Sequence, residues 1–123
     1  AASEKNDDGN AYELPLVLGD PAELDWRPLI AGVVGDCRAA IAPATIARRF
    51  HAALASAVAA VSATFAELPV VLGGGVFQNR VLTEHALALL RASGFDVRLT
   101  HEIPCNDAGI SFGQIIEFRM KPA

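Results

Sequence analysis

Residues 69–100 carry the pattern that most limits what this chain can fold into. Pro69-Val70-Val71-Leu72 reads as a short buried strand, and Gly73-Gly74-Gly75 as a turn. A leucine-rich helical pattern follows from about Asn79 (Val81 to Ser93), then Gly94, then the strand Asp96-Val97-Arg98-Leu99-Thr100. A strand, a helix and a second strand in this order call for a parallel pair with the helix as crossover. The expected class is therefore α/β, a short and mostly parallel sheet with flanking helices. The glycines add a chemical expectation. Three in a row remove every Cβ that would hold a ligand away from the backbone. A helix beginning just beyond points free N–H groups and a partial positive charge at the same opening, which suits a phosphate. The glycines follow neither the Walker spacing nor the dinucleotide spacing. A plain tight turn between strand and helix fits them equally well.

Upstream, the longest helical pattern runs from about Pro43 to Ala66. Ile46, Phe50, Leu54, Val58, Val61 and Phe65 recur every three or four residues and mark one buried stripe, with alanine filling the gaps. A shorter helix is expected from Trp26 to Val34, ending at Gly35. Pro21 to Asp25 reads as a turn and cap, with Asp25 accepting N–H bonds from the first turn. Tyr12 to Leu18 reads as a strand or an extended segment. Residues 1–11 form a polar, flexible N-terminal segment, and residues 12–123 one domain. A last helix is expected from Asp107 to Phe118. With so few strands, a parallel sheet would leave edges and apolar surface bare. The chain is thus expected to belong to a larger whole, or to self-associate.

Composition excludes several classes. A net charge of −4 with scattered arginines leaves no basic stripe for nucleic acid. Eight of the 14 acidic residues fall before Cys37, against two of the 10 basic ones. No apolar run is long enough to span a bilayer, and no basic segment precedes an apolar one at the start, so neither a membrane span nor a secretion leader is expected. Cys37 and Cys105 alone make no disulfide framework or zinc pattern, and a reducing cytoplasm is the simplest setting.

Beyond the glycine turn, Ile103-Pro104-Cys105-Asn106-Asp107-Ala108-Gly109-Ile110-Ser111-Phe112-Gly113-Gln114 stands out. Together with GGGVFQNRVL, Leu24-Asp25-Trp26-Arg27-Pro28-Leu29 and Arg48-Arg49-Phe50-His51-Ala52-Ala53-Leu54, it resembles the C-terminal end of the HypF carbamoyltransferases, which mature [NiFe]-hydrogenases. The resemblance runs from about Tyr12 to Met120, with the motifs in family order. The tRNA threonylcarbamoyl transferases are more distant relatives of the same actin-like ATPase (ASKHA) fold. The resemblance implies one lobe of that fold. It also implies ATP or carbamoyl-adenylate as ligand, and HypE and the remaining HypF domains or lobe as partners. The implied reaction moves a carbamoyl group from carbamoyl-adenylate to the C-terminal cysteine of HypE.

By the same resemblance Gly74, Gly75, Gln78 and Asn79 contact the nucleotide, although Asn79 is also the local choice for a helix N-cap. Asp107 matches an aspartate that, in the family, joins two histidines of an HxxxH motif on the other lobe to bind a divalent metal; locally it is equally a helix-start carboxylate. Here His51, His85 and His101 have no such spacing, so the chain carries an incomplete metal site and is expected to be inactive alone. Beside Phe50, His51 reads as a packed imidazole, His85 as a surface residue, and His101 as the histidine placed nearest a ligand edge. Cys105 reads as a loop residue, because the family's acceptor thiol belongs to HypE. The alternative is a non-catalytic nucleotide-binding or partner-docking module. The IPCNDAGISFGQ tail argues against a sugar-kinase lobe.

Overall fold

The structure, a computed structural model, describes residues 11–120. The expected flexible segment therefore lies outside the described residues except for Ala11. The chain divides into two compact units, one ending at Phe65 and the other beginning at Ala66.

In the first unit β1 (Leu16–Val17) pairs antiparallel with β2 (Glu23–Leu24), with Leu16 opposite Leu24 and Val17 opposite Glu23. Residues 21–25 were expected as turn and cap; they hold this strand as well. Asp25 still accepts the Arg27 N–H (3.1 Å) and the Arg27 guanidinium (2.8 Å). Helix α1 (Arg27–Arg38) has proline in its first turn, where no N–H is needed. It passes straight through Gly35 and closes four residues later. There the Ala40 N–H reaches the Cys37 carbonyl and the Ile41 N–H the Asp36 carbonyl, with Ala40 at φ 54°. This is a Schellman closure with alanine in the left-handed position where glycine is usual.

Helix α2 (Pro43–Ala63) also starts on a proline. It stops three residues short of Ala66, where the Ser62 and Thr64 hydroxyls donate to the carbonyls of Val58 and Val61. Such local bonds compete with the helical ladder. The expected stripe is only half-buried, and Phe65 is 61% exposed. The deepest positions are Ala53, Ala55 and Ala57. Helices α1 and α2 pack against each other in this unit.

A polar cluster ties the chain before β1 to both helices. The Tyr12 hydroxyl donates to Asp36 Oδ2 (2.6 Å), and the Arg49 guanidinium reaches the same oxygen (2.7 Å). These bonds hold the Asp36 carboxyl below the usual carboxylate range. Burial, then the Asp36 hydrogen bond and charge, raise the Tyr12 phenol. The ring lies against Gly32, where a Cβ would meet Tyr12 Cδ1 at 2.6 Å. Because the fold favours the protonated phenol, the contact stabilises the unit below about pH 10 and is lost as pH climbs through the raised value. Gly32→Ala should expel the ring and return the phenol to its ordinary titration. Tyr12 is the single tyrosine of the chain, so ultraviolet absorbance in an alkaline titration reads this directly; an unchanged midpoint would refute the contact.

In the second unit β3 (Val70–Leu72) and β4 (Val97–Leu99) pair in parallel, Val70 with Val97 through Leu72 with Leu99. Helix α3 (Arg80–Ala92) connects them and buries Leu82, Ala86 and Leu90, one stripe at four-residue spacing. Its end is the glycine counterpart of α1's. Gly94 at φ 83° carries a Schellman closure, with N–H groups of Gly94 and Phe95 on the carbonyls of Arg91 and Leu90. A 3₁₀ turn at Asp107–Gly109 then leads into α4 (Ile110–Met120). No residue of α4 is buried, and Phe118 is 80% exposed. Val71 on β3 is exposed too, the bare apolar surface expected of so narrow a sheet. No helix among the described residues is long and apolar enough to cross a membrane.

Candidate functional site

Parallel strands deliver their following loops to one edge, the side where open α/β sheets hold ligands. Here those loops are 73–79 after β3 and 100–106 after β4. The first begins with Gly73, around which a Cβ would meet nothing within 4 Å. Gly74 follows at φ 94°, ψ 155°, a backbone region essentially reserved for glycine. From it a 3₁₀ turn, Gly75–Gln78, runs into α3. Its bonds are Phe77 N–H to Gly74 O and Asn79 N–H to Val76 O, both 3.1 Å. The helix start expected at Asn79 is found there, with the extra turn before it.

Asn79 caps α3. Its Oδ1 accepts from the Leu82 N–H at 3.2 Å. Its local role is thus a structural one, and a ligand contact by the same residue is compatible with it. Gln78 is exposed at the end of the 3₁₀ turn. Thr83, one turn into α3, donates its hydroxyl toward both the Phe77 carbonyl (2.8 Å) and the Asn79 carbonyl (2.9 Å). Sequence reasoning passed over it. A threonine four residues past an asparagine cap was the available signal.

The second loop reaches the first. A Cβ on Gly75 would lie 4.0 Å from Asn106 Cβ, so the glycine turn and the Asn106-Asp107 pair share this edge. Asn106, rather than Asp107, caps the second 3₁₀ turn, its Oδ1 accepting from the Ala108 N–H at 3.0 Å. The Gly109 N–H adds a bond to the Asn106 carbonyl (2.9 Å). That leaves the exposed Asp107 carboxylate without a capping duty, and among the described residues nothing pairs with it.

Among the described residues no three His, Cys, Asp or Glu side chains lie close enough to hold a metal ion. Asp107 alone does not fit a divalent cation. His101 is exposed and Cys105 half-buried in the loop after β4. His85 is exposed on α3, and His51 is half-buried on α2, its Nδ1 2.7 Å from the Ala47 carbonyl and its ring edge-on to Phe50. An open hollow of about 350 Å³ lies at the opposite edge of the strand pair, lined by Glu67, Pro69, Gly94, Asp96 and Arg98. Arg98 there is engaged by Asp96 at 2.8 Å, and the strands' amino ends, not their carboxyl ends, border it.

Comparison with known proteins adds to this geometry. Residues 1–114 match the family described as carbamoyltransferase, Kae1-like domain, second subdomain. The chain is 32% identical over 105 residues to the carbamoyltransferase HypF of Synechocystis sp., covering 83% of this chain and 13% of that protein. It is 39% identical over 101 residues to the carbamoyltransferase HypF of Rhizobium leguminosarum bv. viciae, covering 79% of this chain and 13% of that one. The fold superposes on the crystal structure of full-length HypF in its phosphate- and nucleotide-bound form with a TM-score of 0.80 and 28% identity. That alignment covers 93% of this chain and 16% of the other. The chain therefore spans less than a fifth of each of these three proteins.

Proposed function

Since the chain belongs to the HypF carbamoyltransferase family, as the second subdomain of its Kae1-like domain, we propose that it is the C-terminal lobe of a HypF-like carbamoyltransferase domain and supplies the turn that holds a nucleotide's phosphate. The observation that carries the reading is the meeting of the Gly73–Gly75 turn with Asn106 at the carboxyl edge of the parallel pair. In this reading Gly74 and Gly75 offer close backbone approach, α3 directs its amino end at the phosphate, and Gln78 and Asn79 border the nucleotide. The phosphate and nucleotide bound in the full-length HypF structure support it.

In the whole reaction we assign, the HypE C-terminal thiolate attacks the carbamoyl carbon of carbamoyl-adenylate. The sulfur–carbon bond forms as the carbon–oxygen bond to AMP breaks, and the departing phosphate takes the negative charge. A preorganised turn at that phosphate lowers the barrier by stabilising the charge where it develops. Asp107 is assigned as one donor of a metal site whose other ligands would come from the remaining HypF domains. The setting is the cytoplasm, beside HypE. The bare apolar helix α4 is assigned to contact with the remaining HypF domains, and self-association is its expression when the chain stands alone.

Calorimetric titration with AMP and ATP, each with and without Mg²⁺, tests the reading. Micromolar binding is expected, weakened at least about tenfold by Gly75→Val, the range for losing a hydrogen bond to a charged group. Binding that appears only after the remaining HypF segment is added would place the pocket between lobes. Absence of binding in both forms would sink the proposal.

A further inference from the structure

We propose that Thr83 is a positioning residue for the phosphate turn, an inference that rests on the nucleotide reading above. The neighbouring bonds of this turn span three or four residues: Phe77 N–H to Gly74, Asn79 N–H to Val76, Leu82 N–H to Asn79, and Thr83 N–H to the Asn79 carbonyl. Thr83 reaches further. Its hydroxyl lies 2.8 Å from the Phe77 carbonyl, six residues back, and 2.9 Å from the Asn79 carbonyl. One proton shared between two carbonyls, one on each side of Gln78, ties the 3₁₀ turn to the first turn of α3.

The consequence for the ligand follows from peptide geometry. A trans peptide is planar, with its carbonyl and N–H on opposite sides. Holding the Phe77 carbonyl toward α3 therefore fixes where the Gln78 N–H points. The Asn79 carbonyl is already held by the Thr83 N–H at 3.0 Å, so the hydroxyl's added effect is to join the Phe77 carbonyl to that first turn of the helix whose amino end faces the phosphate. Thr83 itself is half-buried, its hydroxyl engaged by the two backbone carbonyls, so its assigned role acts through the backbone. Its contribution is preorganisation: a turn already set for the anion loses less freedom on binding.

The hydroxyl can be separated from the side chain's bulk. Thr83→Val keeps the shape and removes the donor; Thr83→Ser keeps the donor and removes the methyl. Two readouts are taken on wild type and both variants, using the form of the protein that binds in the titration above. The first is amide hydrogen exchange over residues 74–79 without ligand; the second is AMP affinity by calorimetry. Thr83→Val should speed exchange in the turn and weaken AMP about three- to tenfold, the range for one lost neutral hydrogen bond. Thr83→Ser should restore both, whichever variant melts lower. Equal exchange and equal affinity in Thr83→Val and wild type would overturn the inference while leaving the nucleotide site standing. So would a Thr83→Ser variant as defective as Thr83→Val. A wild type that binds no AMP in any form would instead remove the nucleotide reading, and the inference with it.

Discussion

Gly109→Ala should destabilise the second unit by about 1–3 kcal/mol, the usual range for forcing extra atoms into a packed site. The added Cβ would sit 2.8 Å from the backbone oxygen of Pro104 and 3.3 Å from Ile103 Cγ2. A backbone atom cannot swing aside as a flexible side-chain tip can, so the 3₁₀ turn must shift. That turn carries the Asn106 cap and begins at Asp107. The amide signal of Ala108, which donates to the Asn106 cap, should therefore move along with the melting temperature. Gly113→Ala is the matched control. Its Cβ would meet nothing within 4 Å, and it lies within α4, where alanine is the better helix former. Calorimetry that found the two variants equally stable would show that the close approach at Gly109 does not constrain the fold.

The second large effect is expected at Gly74. A Cβ there has open space around it, so no clash opposes a substitution. The obstacle is the backbone, held at φ 94°, ψ 155°. For a residue with a side chain this conformation costs on the order of 1–3 kcal/mol, and a β-branched one fares worst. Gly74→Val should lower the melting temperature or flip the turn out of this conformation. Either result should abolish the AMP binding expected of the wild type. Gly73→Ala, also in open space but without the unusual φ, should melt like the wild type. Equal melting of Gly74→Val and wild type would mean that the turn readily adopts another shape.

These two glycines also show what a sequence discloses and what it hides. Glycine turns are visible in one dimension, so the stop of α3 at Gly94, the start at Asn79 and both strands of the parallel pair could be read directly. The stop of α1 could not, because Ala40 adopts the left-handed conformation in place of a glycine, while Gly35 sits inside the helix and stops nothing. Strand β2 was hidden for a different reason. Two residues, Glu23 and Leu24, are too few to show alternation, and their pairing with β1 depends on partners outside the local pattern. In α2 the periodicity gave the right helix but favoured the large residues, whereas alanine governs how near a neighbour can come.

The candidate site divides in the same way. Its two loops were legible as motifs, each with an asparagine at a helix start. That Gly75 comes to lie beside Asn106 was not legible, because thirty residues separate them and only the parallel register of β3 and β4 joins them. Which asparagine or aspartate does the capping is likewise settled by a single hydrogen bond, the one from Ala108 to Asn106. Thr83 acts on a carbonyl six positions behind it, a relation outside the ordinary helical spacings of three and four.

Helix α4 has a thermodynamic consequence. The positive heat-capacity change of unfolding and the slope against denaturant both scale with the apolar surface newly exposed. A helix whose Ile110, Phe112, Ile115 and Phe118 are about half exposed or more adds less to either quantity than a buried helix of its length. Eleven residues are also too short for a helix to persist by propensity alone. Burial of its apolar face would therefore add to its order. A surface that covers α4 gains the hydrophobic contribution of those side chains and sets against it the entropy of fixing them. That event should carry a large negative heat-capacity change that melting of the uncovered chain does not contain.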